Sequence, residues 1–446
     1  MNVVLLLLKL ICQIPSQFHD WSFQTMYGPP ENSRGSSPKT PTLLLLYPLF
    51  WSYSCHVSDS SRYNVLRSSP KVASSTSDLL LLISWMSAKS ILVFAVVVFI
   101  CGATVVPHVG KIKPHVPRTY NVSLDDPLSK RWAPILHDYK HAFDLFMNYF
   151  DLIPFSKGFW KAVDWYAKNV FVHKEFTAEV EVVASLTGQP FAKIFFLNFM
   201  YEFSTLKECS GILVRDVTGK ILHGRNLDFF MWDLLAKLVV NVQYFQGSKR
   251  VYSVDTIVGS VFALTGIKHG AFAINVDTRK VKGFYKDIFN VLIEDAIPTV
   301  WLLRKVLEEE TTYQGALERL KTTRIGGPVY YIISGTKGYE GAVIERDSDA
   351  VHGFYTLNET NWFLVQTNYD RDQPDPVHDP RRVAVENRIR EHGQAGFTEH
   401  TLFEDFMTEW PTFNIATIMT AIMIPANGYH NTTVWYSYNP SEYTIL

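Results

Sequence analysis

Between residues 125 and 207, apolar side chains recur at spacings of three and four residues, which is the spacing along one face of an α-helix. The clearest series are Phe143, Phe146, Met147 and Phe150, followed by Val180, Val183 and Ala184. Gly188 is typical of a residue that ends a helix, and Pro190 is typical of the first turn of the next helix. The pattern therefore predicts a helical region ahead of residue 208.

The second of these predicted helices, from Phe191 to Phe203, is apolar nearly all round its circumference. Its apolar residues include Phe195, Phe196, Leu197, Phe199 and Met200. A helix of this kind is usually buried in a protein core, and the alternative is a helix that faces lipid or a membrane. The pattern favours the buried helix and leaves the lipid-facing one open.

At Cys209 the helical spacing gives way to the pattern of strands. Residues 216–219 form a turn flanked by the segments 212–214 and 220–223, with Gly219 placed for a positive φ, so we predict a β-hairpin. Further strands are predicted at Leu238–Tyr244, Ala271–Val276, Val329–Ser334, Ala342–Arg346 and Trp362–Thr367, and helices at Ile297–Glu309 and Tyr313–Leu320. Strands with helices between or outside them are typical of the α+β class.

Residues 1–85 do not have the pattern of a domain. Short leucine runs alternate with stretches rich in serine, proline and glycine, and no apolar period persists. We interpret this region as a dubious leader or a gene-model extension. The alternative is a membrane-targeting N terminus that starts at Met1.

Residues 86–106 have the layout of a secretory signal peptide. Lys89 supplies the positive charge, Ile91–Ile100 is an unbroken apolar run, and small residues follow it. Three glycosylation sequons further along support export, at Asn121, Asn358 and Asn431. We therefore expect a protein of the lysosomal lumen or the cell exterior, with a single membrane anchor as the alternative.

Composition and charge narrow the class of protein. With 446 residues the chain is longer than one compact core usually requires, and 47% hydrophobic residues exclude general disorder. A net charge of −1 without any basic run argues against a nucleic-acid partner. Of the four cysteines only Cys209 lies in the predicted folded region, so no disulfide framework is expected. A lone cysteine is either a buried small hydrophobe or a reactive thiol, and both interpretations stay open.

The predicted hairpin brings charged residues close to Cys209. The two strands are antiparallel, so Arg225 and Asp228, just past the second strand, are expected near the start of the first, beside Cys209. A guanidinium next to a thiol favours the thiolate, and an aspartate there can orient an amine or accept a hydrogen bond. A surface ion pair between Arg225 and Asp228 is the alternative.

A second polar block follows the last predicted strand. It runs from Gln366 to Arg371 and contains Asn368, and the pair Arg381-Arg382 comes ten residues later. An asparagine that ends a strand is usually a turn residue. Its side-chain amide can also donate to a developing oxyanion, a contribution of about 3 kcal/mol in a dry site.

Taken together, these blocks resemble the family of acid ceramidase and N-acylethanolamine-hydrolysing acid amidase. The resemblance rests on the run from Cys209 to Asp228 with its His-Gly-Arg-Asn-Leu-Asp motif, on Gln366 to Arg371, and on Arg381-Arg382. Leu264-Thr265-Gly266 and Val329 to Ile332 fit between them. The resemblance covers about residues 115–435 and is closest to acid ceramidase.

The resemblance implies the N-terminal-nucleophile αββα sandwich preceded by a helical subunit. It implies self-cleavage before Cys209, which would leave a helical α-subunit (107–208) paired with a catalytic β-subunit (209–446). Carried over residue by residue, Cys209 is the nucleophile, Arg225 and Asp228 flank it, Asn368 stabilises the oxyanion and Arg381 supports the site. The implied reaction is hydrolysis of ceramide to sphingosine and a fatty acid. A saposin-type activator and a membrane surface are implied partners, and no cofactor is implied.

Two departures from the family pattern affect these expectations. Thr278 stands where the family usually has a glutamate that assists self-cleavage, so either Asp277 substitutes for it or cleavage is slow. The cysteines that the family has near its C terminus are missing, so its disulfide pattern does not transfer.

Three competing functions are weighed against the ceramidase. An N-acylethanolamine acid amidase shares the chemistry: Gln366 and Arg371 favour the ceramidase, whereas Val329 to Ile332 favours the amidase. A catalytically silent lipid-binding homologue is disfavoured by the complete set of candidate residues. A papain-like protease is disfavoured because Cys209 opens a strand, not a helix. The sequence shows no metal-ligand spacing and no phosphate-binding loop.

Overall fold

A computed structural model describes residues 112–151, 155–203, 207–229, 232–279, 296–377 and 379–437. The interpretations of residues 1–85 and 86–106 lie outside the described residues. Within those ranges, no helix combines the length and the apolar character that crossing a membrane requires.

The described residues between 112 and 203 are mainly helical, as the apolar spacing predicts. Their elements are β1 (Ile112–His115), β2 (Thr119–Ser123), α1 (Leu128–Asp138), α2 (Lys140–Asp151), α3 (Lys157–Asn169), α4 (Lys174–Thr187), α5 (Phe191–Leu197) and α6 (Met200–Phe203). Gly188 caps α4 with φ +69°, a conformation that glycine adopts without strain. The predicted helix end at this residue is confirmed.

From residue 207 onward strands dominate. The strands are β3 (Lys207–Arg215), β4 (Ile221–Phe229), β5 (Val239–Gln246), β6 (Lys249–Ile257), β7 (Thr265–Lys268), β8 (Phe272–Thr278), β9 (Val329–Ser334), β10 (Gly341–Arg346), β11 (Val351–Thr356), β12 (Phe363–Gln366), β13 (Thr417–Ile424) and β14 (Tyr429–Ser437). The longer helices are α7 (Trp232–Ala236), α8 (Thr299–Glu309), α9 (Tyr313–Thr322) and α10 (Arg381–His392), and a π-helical turn covers Leu402–Met407.

The strands form two sheets that stack face to face. The six-stranded sheet has the order β1-β14-β13-β4-β3-β12, and the eight-stranded sheet has the order β11-β10-β9-β8-β7-β6-β5-β2. α10 and the π-helical turn cover the outer face of the first sheet, and the helices α1 to α5 with α8 and α9 cover the second. The α+β class and the αββα sandwich implied by the sequence are confirmed.

The space between the two sheets is apolar at one end and polar at the other. Leu213, Tyr330, Ile332 and Val343 pack together in the apolar part. Gly211 lies so close to Ile332 that a Cβ there would be 3.0 Å from Ile332 Cδ1, so the sheets approach closely at this point. The polar part holds the side chains around Cys209.

The segment ahead of Cys209 also contributes an edge strand to each sheet. β1 pairs antiparallel with β14, and β2 pairs parallel with β5. The buried carboxylate of Glu179 on α4 accepts two 2.7 Å hydrogen bonds from Arg304 on α8. A chain cut before Cys209 would therefore remain joined by strand pairing and by a buried ion pair.

The apolar stretch from Phe191 to Phe203 differs from the single helix predicted for it. It is broken into α5 and α6 at Asn198, whose side chain donates to the carbonyls of Ile194 and Gly259 and accepts from the Val261 N–H. An asparagine engaged with backbone groups outside the helix competes with helix continuation. Most of the apolar residues are buried, which supports the core interpretation over the lipid-facing one.

Candidate active site

The predicted hairpin is present as β3 and β4, and its register places the site residues. Cys209 pairs with Leu227, Gly211 with Arg225, and Glu208 with Asp228. Side chains alternate along a strand, so Cys209 and Arg225 point between the two sheets, and Asp228 points to the outer face of the six-stranded sheet. The two predicted neighbours of Cys209 therefore reach it from opposite sides of the sheet.

Cys209 is completely buried in the uncleaved chain, and it is the free cysteine of the described residues. Burial raises the pKa of its thiol to about 11, and the nearby Arg225 guanidinium opposes that rise. The negative charge of Asp277 adds to it. The thiol is thus packed like a core residue and faces a cation, and its reactivity stays a prediction.

Arg225 is held by directional bonds to the eight-stranded sheet. Its Nε donates to Thr265 Oγ1 at 2.9 Å and its Nη2 to the Val276 carbonyl at 3.0 Å. Its Nη1 lies 3.4 Å from Asp277 Oδ1, and both side chains are fully buried. A surface ion pair between Arg225 and Asp228 is excluded by this burial.

Asn368 contacts the peptide that would be cut. Its Oδ1 accepts the Cys209 N–H at 2.9 Å, and its Nδ2 donates to the Thr278 carbonyl at 2.8 Å. The amide N–H₂ is therefore engaged with Thr278 in the uncleaved chain. Its predicted donation to an oxyanion stays a prediction for the cleaved state.

Arg381, at the start of α10, connects the remaining groups. Its Nη1 donates to the Cys209 carbonyl at 3.1 Å and its Nη2 to Asn368 Oδ1 at 3.0 Å. Asp379 accepts two bonds from it at 2.7 and 2.8 Å, and carboxylate oxygens of Asp228 and Glu208 each lie 3.6 Å away. Burial alone would lower the pKa of Arg381, but Asp379 and Glu208 outweigh it and raise the pKa.

Asp228 is satisfied from a distant part of the chain. Asn414 Nδ2 and Thr417 Oγ1 each donate to its carboxylate at 2.7 Å. Burial raises the pKa of Asp228 to about 6, although Arg381 and these donors act in the opposite direction. The carboxylate is therefore close to its titration point at mildly acid pH.

Sequence reasoning missed several residues of this site. They are Asp379, Asn414, Thr417, Asn275 and Tyr201. Asp379 had a signal, since it precedes Arg381 by two residues in the block already singled out. Tyr201 lies only eight residues before Cys209, in the apolar stretch predicted as one helix. Asn275, Asn414 and Thr417 lie far from Cys209 in sequence, in elements whose packing no local pattern predicts.

An apolar pocket lies next to the site. It is lined by Phe146, Leu197, Met200, Tyr201, Phe229, Leu235, Ile257, Ser260, Phe262 and Leu264. Its cavity volume of about 40 Å³ is enough for only a few water molecules. In the uncleaved chain this pocket is too small for a long acyl chain.

One group of potential metal ligands is brought together by the fold, away from Cys209. Ligand atoms of Glu345, His352 and Asp370 lie within 4.8 Å of one another. Arg279 already donates two hydrogen bonds to Asp370, at 2.6 and 2.8 Å. A cation would have to compete with this guanidinium, so we assign no metal to this group.

Comparison with known proteins gives consistent matches. A family model described as the beta subunit of N-acylethanolamine-hydrolyzing acid amidase matches residues 116–172. The N-acylethanolamine-hydrolyzing acid amidase of Rattus norvegicus is 32% identical, covering 72% of this chain and 89% of the rat protein. Acid ceramidase of Mus musculus is 30% identical, covering 69% and 84%. A solved Caenorhabditis elegans orthologue of the amidase is 28% identical, with a TM-score of 0.47, over 51% of this chain and 99% of that one.

The αββα sandwich is the fold of the N-terminal-nucleophile hydrolases, and here it holds a buried cysteine at the start of an inner strand. The similarity over most of both chains shows that this protein belongs to the family of N-acylethanolamine-hydrolyzing acid amidase and acid ceramidase.

Proposed function

We propose that this chain cuts its own peptide bond between Glu208 and Cys209, and then uses Cys209 to hydrolyse the amide bond of an N-acylated lipid. One observation carries the proposal: the Cys209 peptide unit is fixed by Asn368 and Arg381 while its thiol faces Arg225. The same residue thus has its backbone held and its sulfur beside a cation that can stabilise a thiolate as it forms, which both reactions require.

Self-cleavage would begin with attack of the Cys209 sulfur on the Glu208 carbonyl carbon. The C–N bond breaks, a thioester forms, and the thiol proton ends on the released α-amine. Water then hydrolyses the thioester and leaves a carboxylate on Glu208. Arg225 stabilises the attacking thiolate, and Asn368 holds the nitrogen that becomes the amine, already 2.9 Å from its Oδ1.

The freed amine would serve as the base for lipid hydrolysis. The thiolate attacks the substrate's acyl carbon, the amine donates its proton to the leaving nitrogen, and an acyl-enzyme remains. Water assisted by the amine releases the fatty acid. Arg381, bonded to both the Cys209 carbonyl and Asn368, keeps the amine and the amide in one place.

The apolar pocket supports an acyl chain as the part of the substrate that is recognised. It shares Tyr201 with the surroundings of Cys209. Release of the chain ahead of Cys209 would let this pocket enlarge. Each buried methylene contributes about 0.8 kcal/mol, so a long acyl chain would bind far better than a short one.

Ceramide and N-acylethanolamine are the two candidate substrates. The residues that favoured ceramide bind neighbouring backbone: Gln366 donates to the Thr367 and Tyr369 carbonyls, and Arg371 to the Val365 carbonyl. Neither lines the apolar pocket. The higher identity to the rat amidase supports N-acylethanolamine, so we place both lipids in the proposal.

The test is hydrolysis of ceramide and of palmitoylethanolamide in one detergent at acid pH. The unmodified chain should release fatty acid from at least one of them, and Cys209→Ala from neither. Equal inertness of both proteins toward both lipids, with the chain folded, would contradict the amidohydrolase proposal and favour a lipid-binding role.

We further propose that the protein is exported to the lysosome or the cell exterior, and that its two cleaved chains stay together as an α/β heterodimer. Exposure of the sequon residues Asn121, Asn358 and Asn431 supports export. Contact with a membrane or with a saposin-type activator is part of this proposal. Expression from Met86 tests it, since export and glycosylation should not require residues 1–85.

A further inference from the structure

A chain of buried hydrogen bonds joins the two sheets behind Cys209. On β4, His223 Nδ1 lies 2.9 Å from Ser334 Oγ and its Nε2 lies 2.6 Å from Asn275 Oδ1. Asn275 Nδ2 donates to Asp277 Oδ1 at 2.7 Å. All four side chains are completely buried, so water cannot replace any of these bonds.

The direction of each bond follows from the carboxylate at the end of the chain. An ionised Asp277 only accepts, so Asn275 presents its N–H₂ there and turns its oxygen to His223. His223 must then carry its hydrogen on Nε2. Burial lowers the pKa of His223 to about 4, so the ring is neutral and its Nδ1 accepts from the Ser334 hydroxyl. Every donor in the chain points toward Asp277.

Apart from the Asn275 hydrogen bond, the Asp277 carboxylate has few groups that compensate its negative charge. Its Oδ2 is buried and has no hydrogen-bond partner among the described residues, and its nearest cation, Arg225 Nη1, is 3.4 Å from Oδ1. Burial raises the pKa of Asp277 to about 7, with Arg225 and the Asn275 hydrogen bond acting against that rise. The other groups facing it are Arg381 from α10, Asp228 from β4, Cys209 from β3 and Tyr201 from α6.

We infer that Ser334, His223 and Asn275 are positioning residues that keep Asp277 a carboxylate, and that Asp277 in turn fixes Arg225 against the Cys209 thiol. The inference rests on the proposed self-cleavage and names the residues that control it. His223 and Asn275 act through Asp277, and Asp277 acts through Arg225. The proton stays on Cys209 until attack, and no proton moves along the chain.

Two substitutions of His223 separate this role from simple packing. In His223→Gln the amide nitrogen reaches the position of Nε2 and can still donate to Asn275. In His223→Asn the shorter side chain reaches only the position of Nδ1, so it keeps Ser334 and loses Asn275. Both variants remove the imidazole, so a merely structural role would affect them alike.

The measurement is the rate of self-cleavage of the full chain against pH, followed by intact mass. Without the His223 donor, Asn275 is no longer held with its N–H₂ toward Asp277. A weaker bond from Asn275 raises the pKa of Asp277, so the midpoint of the profile should move up, by up to about one pH unit, in His223→Asn. In His223→Gln it should stay within about a third of a unit of the unmodified chain. Thermal unfolding of both variants reports any shared loss of stability.

Equal shifts in the two variants, or no shift in either, would overturn the inference. Failure of the unmodified chain to cleave at any pH would instead contradict the proposed function. In that case the same three proteins are alkylated at Cys209 with iodoacetamide over a range of pH, and peptide mapping quantifies the product. The pH dependence of alkylation then tests the role of the hydrogen-bond chain. The same upward shift in His223→Asn alone would support it, and equal profiles would overturn it.

Discussion

Two buried arginines flank Cys209, and their surroundings differ. Arg225 has one carboxylate nearby, Asp277 at 3.4 Å, and otherwise donates to a hydroxyl and to carbonyls. Arg381 has three, with Asp379 at 2.7 Å and Asp228 and Glu208 at 3.6 Å. In a low-dielectric interior, charge that is not compensated acts strongly on its neighbours.

The difference indicates a division of roles between the two guanidinium groups. Arg225 keeps most of its positive charge available to the thiol, so it acts by electrostatics. Arg381 is neutralised by its carboxylates, so it acts through the geometry of its bonds to the Cys209 carbonyl and to Asn368. Arg225 thus acts on the charge state of the Cys209 sulfur, whereas Arg381 orients the Cys209 backbone.

The largest expected effect comes from removing the group on which both arginines act. Cys209→Ala should lose self-cleavage and lipid hydrolysis together, by about 10⁴-fold or more, because one thiolate performs both reactions. Intact mass and fatty-acid release measure the two losses. Retention of either activity in a folded variant would show that the arginines surround an inert cysteine.

Next in size is the loss of charge at Arg225. Arg225→Gln should slow self-cleavage by about 10³-fold, whereas Arg225→Lys keeps the cation and should remain at least about tenfold faster than Gln. Arg346→Lys is the matched control, since Arg346 is also fully buried on the eight-stranded sheet but donates to the Leu320 and Thr323 carbonyls. It should reduce stability and leave the cleavage rate of folded molecules unchanged. Equal rates for Gln and Lys at 225 would contradict the electrostatic role.

At position 381 the rate of self-cleavage should depend on the arrangement of the hydrogen bonds and not on the positive charge. Lysine cannot reproduce the planar fork that bonds Asn368, Asp379 and the Cys209 carbonyl. Arg381→Lys and Arg381→Gln should therefore slow self-cleavage to a similar extent, about tenfold to 10²-fold. A lysine variant close to the unmodified rate would mean that charge alone is needed there and would remove the contrast with Arg225.

The smallest expected effect is on the free energy of unfolding. It concerns Asp228, which lies on the outer face of the six-stranded sheet, opposite to Arg225. The pKa of Asp228 is raised to about 6 by burial, so the stability it contributes is complete below its ordinary pKa near 4 and is lost as pH rises through about 6. The free energy of unfolding of the unmodified chain relative to Asp228→Asn should fall over that interval, on the order of 1 to 3 kcal/mol. Urea unfolding at several pH values measures it.

Asp255 provides a control of opposite sign. It is buried too, but His430 and other donors outweigh burial and lower its pKa. Its contribution is present above its ordinary pKa and is lost as pH falls. A pH dependence of the same sign for Asp228→Asn and Asp255→Asn would contradict the assigned surroundings of Asp228.

Local patterns were sufficient for the hairpin and for much of the site. The turn at 216–219 and the antiparallel register follow from alternation and a glycine, and they bring Arg225 and Asp228 to Cys209. Side chains alternate between the two faces along a strand. Arg225 and Asp228 are three positions apart and therefore lie on opposite faces. The family resemblance added Asn368 and Arg381, whose hydrogen bonds to Cys209 span 159 and 172 residues.

The rest could not be obtained from one sequence because it depends on how the two sheets meet. His223 finds Asn275 and Ser334 only when β4 lies over β8 and β9. Asp228 finds Asn414 only when the segment before β13 folds back on β4. The break at Asn198 was missed for the same reason, since its partners Gly259 and Val261 are distant in sequence.

The central claim is that Cys209 becomes a new N terminus by self-cleavage. The most direct measurement is the mass and N-terminal sequence of the purified chain before and after incubation at a series of pH values from acid to above neutral. The account predicts two fragments that remain associated, one of which begins Cys-Ser-Gly-Ile, and no cleavage of Cys209→Ala. An intact chain that nevertheless hydrolyses N-acylated lipids at full rate would contradict it.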